Sequence, residues 1–116
     1  MTIAVAESQE TFTAGTILTF SNTFTTVIGG APVDPGEVTF AYRIENASPV
    51  YFYYEVTLDI VRDSTGVYHI DLDTTGFAGV GQVVLMTAIF AGTSPGQASD
   101  EMTVAIKGSS IPLLFQ

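Results

Sequence analysis

Cysteine and tryptophan are both absent from this sequence of 116 residues, and histidine occurs once. Without cysteine the chain can form no disulfide, no thiolate nucleophile and no zinc–sulfur centre. Its stability must therefore come from side-chain packing, strand pairing or association with another chain.

Basic side chains are also scarce. Arg43, Arg62 and Lys107 stand against 12 acidic residues, which gives a formal net charge of -9. Proteins that bind nucleic acid or anionic membranes gather lysine and arginine to neutralise phosphates, and these three residues are far apart in sequence. We therefore expect neither a nucleic acid nor a membrane as a partner. No apolar run approaches the about 20 residues of a spanning helix, and we expect neither a secretion signal nor a membrane anchor.

The pattern of the remaining residues predicts a single all-β domain. Turn-forming residues recur at short intervals, and no stretch keeps the three-four apolar spacing of a helix. Val38, Phe40, Tyr42 and Ile44 alternate with more polar residues, which predicts a central core strand. Residues 82–91 are apolar at both odd and even positions, which predicts a strand buried on both faces.

Two terminal segments lie outside the predicted domain of residues 14–107. We expect residues 1–13 to form an N-terminal arm and residues 108–116 to form an apolar C-terminal arm. An apolar tail left in water forgoes about 1.5–3 kcal/mol for each large side chain, so it should dock on its own domain or on another chain. The sequence leaves open whether the N-terminal segment pairs with its own sheet. The C-terminal side chains predicted to bind a partner are Ile111, Leu113, Leu114 and Phe115.

A second candidate binding surface is the aromatic run at residues 51–54. We expect Tyr51, Tyr53 and Tyr54 to contact a protein partner, because a free edge rarely leaves so much aromatic surface in water. The alternative is a stacking platform for sugars.

Chemically reactive patterns are weak. His69, with Ser64 and Asp71 near it in sequence, suggests a nucleophilic triad, but side chains on one strand face splay in parallel and form no pocket. Asp71 and Asp73 could ligate a hard cation, but an acidic solvated face that keeps the protein soluble is the favoured explanation. We therefore predict no catalytic residue, no metal site and no cofactor.

The chain from residue 18 to Ile106 resembles small immunoglobulin-like modules of tailed-bacteriophage virion proteins. The matching stretches are VDP at 33–35, VTF at 38–40, VRDSTGVYH at 61–69, and the closing alternating strand that ends at Ile106. The resemblance implies an immunoglobulin-like antiparallel β-sandwich, here with extended arms at both ends. It also implies a structural or adhesive role.

Together these observations predict a non-enzymatic virion structural protein. We expect a capsid decoration or cement protein that binds and stabilises the major capsid shell and lies on the capsid surface. Its expected partners are the major capsid protein or other virion proteins, and further copies of itself in a homo-oligomer. Two alternatives stay open at this point: a head-to-tail neck or tail component, and a carbohydrate-binding adhesin.

Overall fold

The computed structural model describes residues 2–4, 11–26, 30–57, 59–96 and 98–108. Within these residues the chain forms β-strands and no helix. The strands are β1 Thr2–Ala4, β2 Thr11–Thr13, β3 Ile17–Thr23, β4 Val38–Ile44, β5 Val50–Tyr53, β6 Ile60–Ser64, β7 Val67–Asp73, β8 Val83–Gly92 and β9 Ala98–Lys107.

The strands form two sheets that pack face to face. One sheet has four strands in the order β1-β3-β7-β6, and the other has five in the order β2-β9-β8-β4-β5. Neighbours are antiparallel except for two parallel pairs, β1 with β3 and β2 with β9. The predicted all-β sandwich is confirmed.

The N-terminal segment contributes to both sheets. Thr2–Ala4 pairs with β3 in one sheet, and Thr11–Thr13 pairs with β9 in the other. Phe12 is buried in the core, so the end of the segment predicted as an arm is part of the sandwich. These pairings answer the question that the sequence left open, since both strands lie in the chain's own sheets.

Aromatic rings from the two sheets meet in the core. Phe20 of β3 lies 5.1 Å from Phe40 of β4 between ring centroids, and Phe40 lies 5.5 Å from Phe90 of β8 in an edge-to-face arrangement. Asn22 is buried beside them and donates a hydrogen bond from its amide to the Phe90 carbonyl at 3.0 Å. The period-two pattern of β3, β4 and β8 creates this core, because it turns every second side chain toward the opposite sheet.

Two turns differ in how they use glycine. Gly66 closes the β6–β7 hairpin with a φ of 75°, as its place after Asp63-Ser64-Thr65 predicts. Gly36 follows Pro35, which predicts a type II turn with a positive φ, but that prediction is wrong because Gly36 lies outside the left-handed region. It is instead a point of close approach: its N–H donates to the Ser94 carbonyl at 3.1 Å.

The chain after β5 also departs from expectation. The alternation of residues 56, 58 and 60 predicts that they continue a strand toward the core. Instead, Glu55 adopts a φ of 69°, and the Val56 and Thr57 N–H groups both donate to the Tyr53 carbonyl, at 3.0 and 2.9 Å. This tight turn leaves Val56 77% exposed, so the prediction is wrong for Val56. Ile60 is buried at the start of β6, as predicted, and Leu58 lies outside the described residues.

Candidate protein-binding face

The five-stranded sheet has one side against the core and one side uncovered by the described chain. We call the uncovered side the outer face. Its side chains alternate with the buried ones along β4, β5, β8 and β9. The outer face includes Thr39, Ala41, Arg43, Tyr51, Tyr53, Val83, Leu85, Thr87, Ile89, Ala91, Ser99, Glu101, Thr103, Ala105 and Lys107.

Strand β8 carries the aliphatic part of the outer face. Val83, Leu85 and Ile89 are 59%, 49% and 38% exposed, whereas Val84 and Met86 between them are buried. The prediction that this strand is buried on both faces is therefore wrong for the isolated chain. Local sequence cannot show the error, because the residues are apolar whether or not a partner covers them.

Strand β5 adds two aromatic side chains beside this aliphatic row. Tyr51 and Tyr53 are 53% and 39% exposed, and their rings are stacked, with centroids 6.3 Å apart and planes inclined by 14°. Tyr54 does not join them. Period two turns it to the opposite side, where its ring packs edge-on against Tyr68 at 5.1 Å.

A hollow of about 420 Å³ lies in the middle of the outer face. Strand register explains it: Tyr51, Ala41, Ile89 and Glu101 are successive partners across β5, β4, β8 and β9, and so form one transverse row. Ala41 is the smallest side chain of that row and stands between two large ones. Arg43 lies on the rim of the same hollow.

Charge is divided unequally between the two outer sides of the sandwich. The uncovered side of the four-stranded sheet carries Asp63, Asp71 and Asp73, all exposed. The outer face carries Arg43 and Lys107, two of the chain's three basic residues, and two carboxylates: Glu101 of β9, and Glu45 directly after β4, which accepts a hydrogen bond from the Leu85 N–H at 2.9 Å. A chain with a net charge of -9 therefore keeps one side close to neutral.

The single histidine lies on the acidic side. His69 Nδ1 is 2.7 Å from Asp63 Oδ2, and Nε2 is 3.9 Å from Asp71 Oδ2. Asp71 in turn accepts a hydrogen bond from the Thr19 hydroxyl at 2.5 Å. A nucleophilic triad needs a hydroxyl beside the second ring nitrogen, and this structure places a carboxylate there.

A polar network that the sequence did not predict joins the loop before β4 to the β6–β7 hairpin. Asp34 accepts hydrogen bonds from Arg62 Nε at 3.1 Å, from Gly66 N at 2.9 Å and from the Tyr68 hydroxyl at 3.1 Å. The Arg62 hydrogen bond and the Gly66 N–H hold the pKa of Asp34 at about 2. Burial and the Asp34 hydrogen bond raise the pKa of Tyr68 to about 12. The local sequence predicts only a turn role for Asp34. It does not indicate the pairing with Arg62, which is 28 residues away in sequence.

Three further sequence predictions concern a metal site, a membrane span and the C-terminal residues. Within the part of the chain that the structure describes, no group of three or more acidic or histidine side chains is arranged to hold a metal ion. The same part contains no helix long and apolar enough to cross a membrane. The C-terminal residues predicted to bind a partner lie outside the described residues, and these are Ile111, Leu113, Leu114 and Phe115.

The chain's sequence was also compared with known proteins. No protein-family model matches it, and no curated protein matches it either.

Proposed function

We propose that this chain is a non-enzymatic structural protein that binds other proteins through its outer face, and that it decorates the capsid of a tailed-bacteriophage virion. The observation that carries the proposal is the exposed apolar and aromatic surface of β5 and β8 on an otherwise acidic molecule. The virion setting follows the sequence resemblance to immunoglobulin-like virion modules.

The composition of the outer face supports protein binding. Protein interfaces are rich in tyrosine and poor in charged residues at their centres, and contiguous exposed apolar patches mark interaction sites. Tyr51, Tyr53 and Ile89 form such a patch, β4, β5 and β8 contain no acidic residue, and the Glu101 carboxylate borders the patch from β9.

Strand order supports an immunoglobulin-like assignment. In the immunoglobulin sandwich, strands B, E and D neighbour one another in one sheet, and strands C, F and G neighbour one another in the other. Here β3, β7 and β6 have the first arrangement, and β4, β8 and β9 have the second. The chain also passes between the two sheets in the same order as in the immunoglobulin sandwich: from β3 to β4, back to β6 and β7, and then to β8 and β9.

A structural role agrees with the surroundings of His69. Its two ring nitrogens face the carboxylates of Asp63 and Asp71 on an open sheet surface, which offers neither an activated hydroxyl nor donors for an oxyanion. We therefore propose adhesion without covalent chemistry. A His69→Ala variant should assemble into particles as the unmodified chain does.

The experiment is a copy-number measurement on purified virions by quantitative mass spectrometry. A decoration protein should be present in hundreds of copies, since a shell repeats each contact many times. A dozen or fewer copies would place the protein in the neck or tail instead. Absence from the virion would contradict the whole proposal.

Carbohydrate binding is a second candidate because the Tyr51 and Tyr53 rings are exposed and almost parallel. Aromatic faces of this kind can stack on sugar rings. A glycan array tests this function directly. A signal that Tyr51→Ser abolishes and Val61→Ser retains would favour an adhesin, since Val61 is an exposed residue of the other sheet.

A further inference from the structure

We propose that the outer face binds a second copy of this chain, packed face to face about a two-fold axis that runs parallel to the strands between β4 and β8. The inference rests on the proposed function, because it names the partner of the same face. Its support is the match between this surface and its own two-fold image.

The transverse row of the hollow provides the first match. From β5 to β9 the row reads Tyr51, Ala41, Ile89 and Glu101. An axis parallel to the strands between β4 and β8 reverses this order in the second copy. Ala41 then faces Ile89 of the second copy, and Tyr51 faces Glu101 of the second copy.

These two juxtapositions are sterically and chemically complementary. Ile89 projects beside the hollow and is 38% exposed, while Ala41 leaves the space of about 420 Å³ open. Each copy therefore supplies one projecting side chain and one hollow to receive it. The Tyr51 hydroxyl can donate a hydrogen bond to the Glu101 carboxylate, which satisfies both polar groups at the edge of the contact.

The next transverse row contains the basic residue Arg43. Arg43 pairs with Thr87 across β4 and β8, so the same axis sets Arg43 against Thr87 of the second copy. Adjacent rows on one face are about 7 Å apart, a distance that a long side chain can span. Arg43 of each copy can therefore reach Glu101 of the other, and the two charges compensate each other within the interface.

The distribution of charge selects this side of the sandwich. Each copy has a formal net charge of -9, so two copies repel at long range. Contact through the four-stranded sheet would bring Asp63, Asp71 and Asp73 against their own images. Contact through the outer face keeps those carboxylates on the outside of the dimer, where water solvates them.

The size of the face is close to that of a stable dimer interface. β8 and β9 have 10 residues each, β4 has 7 and β5 has 4. At about 3.4 Å per residue and about 4.8 Å between strands, these four strands present roughly 500 Å² of flat area, and the side chains that rise from it add accessible surface. Stable protein interfaces bury about 600–1,000 Å² of accessible surface on each partner.

The test is sedimentation velocity of the full-length chain over a concentration series. We expect a monomer–dimer equilibrium in the unmodified chain and a dissociation constant at least about 30-fold higher in Ile89→Lys, as for a central interface residue. Val61→Lys is the matched control: Val61 is 44% exposed on the other sheet, and the substitution changes the net charge equally. It should shift the dissociation constant by less than about 2-fold. Tyr51→Ser, with thermal unfolding as a check of folding, provides a second variant for the same comparison.

Nuclear magnetic resonance on a mixture of labelled and unlabelled copies tests the geometry. Tyr51 and Glu101 are three strands apart within one copy, about 14 Å, too far for a nuclear Overhauser effect. An effect between them in the mixture supports the proposed axis. A dimer without it, or a dimer that Val61→Lys disrupts and Ile89→Lys leaves intact, overturns the inference.

The two proposals fail differently. A chain that stays monomeric at all concentrations, yet enters virions through the outer face, overturns the dimer and leaves the proposed function standing. A chain that dimerises as described but is missing from purified virions supports the dimer and overturns the virion role.

Discussion

Asp34 and Arg62 form a two-point contact that ties the two sheets together. Arg62 donates from Nε to Oδ1 and from Nη2 to Oδ2, each at 3.1 Å. Arg62 belongs to β6 of the four-stranded sheet, and Asp34 lies in the loop that leads from β3 into β4 of the five-stranded sheet. The same carboxylate accepts a hydrogen bond from Gly66, so one side chain fixes both a crossing loop and a hairpin.

This contact predicts acid sensitivity. The pKa of Asp34 falls from an ordinary 3.8 to about 2 in the folded chain, chiefly through the Arg62 and Gly66 hydrogen bonds. A depressed carboxyl pKa stabilises the fold above the unfolded value, and that stabilisation is lost as pH falls from about 4 through about 2. Asp34→Asn should have a lower melting temperature at pH 7 and a smaller further decrease between pH 4 and 2.

The control for the acid prediction is Asp100→Asn, since Asp100 lies in β9, far along the chain from this network. Melting temperatures of the three chains from pH 7 to 2, measured by circular dichroism, decide the matter. Parallel acid decreases in the unmodified chain and Asp34→Asn would show that other carboxylates control the transition.

Gly66 and Gly76 offer a matched pair of glycine substitutions. Both have a left-handed backbone, with φ of 75° and 82°. A Cβ on Gly66 would lie 2.6 Å from the Phe24 carbonyl oxygen, whereas a Cβ on Gly76 would meet nothing within 4 Å. Gly76→Ala should cost about 1 kcal/mol for the backbone conformation alone, and Gly66→Ala should cost clearly more. Urea denaturation of both variants measures the difference, and equal losses would mean that the crowding at Gly66 relaxes freely.

Thr74 is a buried polar side chain whose hydroxyl makes two hydrogen bonds. It donates to the Thr16 carbonyl at 2.6 Å and accepts from the Gly15 N–H at 3.0 Å, and it is 0% exposed. Thr74→Val keeps the shape but leaves the Gly15 N–H without its acceptor, while the Thr16 carbonyl keeps the hydrogen bond from the Thr74 N–H at 3.2 Å. The loss should reduce the free energy of unfolding by about 1–3 kcal/mol. Thr74→Ser keeps the hydroxyl and should retain more of that stability. A valine variant as stable as the serine variant would assign the role of Thr74 to packing.

Salt should strengthen the proposed dimer. Two copies with formal net charges of -9 repel across the whole molecule, and added salt shortens the screening length from about 30 Å at 0.01 M to about 8 Å at 0.15 M. In the proposed dimer, Arg43 of one copy and Glu101 of the other would lie at short range, where screening matters less. Sedimentation in low and physiological salt should therefore show a dissociation constant that falls several-fold. A rise over the same range would mean that attraction between Arg43 and Glu101 outweighs the repulsion.

Several elements could be predicted because the signal is local. The uninterrupted alternation of apolar and polar residues after Gly66 predicts a strand at Val67–Asp73, and β7 lies there. The same period predicts that Met102, Val104 and Ile106 point inward from β9, and all three are buried. Neither prediction needs knowledge of what lies opposite.

The errors lie where alternation stops or where a distant residue decides the outcome. Val56 continues an apolar alternation and is nevertheless exposed, because Glu55 reverses the chain immediately after β5. The sequence around Asp34, with Pro35 and Gly36 directly after it, predicts a role for Asp34 only within its own turn, but its partners come from β6 and β7. Sequence patterns describe neighbours along the chain and carry little information on such pairings.

The all-β class follows from the amino-acid sequence alone, and so does the core-facing side of strands that alternate clearly, such as β4 and β7, because alternation of apolar and polar residues acts over a few neighbouring positions. In β8, where residues on both sides are apolar, three-dimensional packing determines which side chains stay uncovered. Ile89 and Phe90 are both apolar residues of β8, yet Phe90 is buried beneath the opposite sheet and Ile89 faces outward. The difference arises from the arrangement of the two sheets, because a side chain is buried only when another element packs against it.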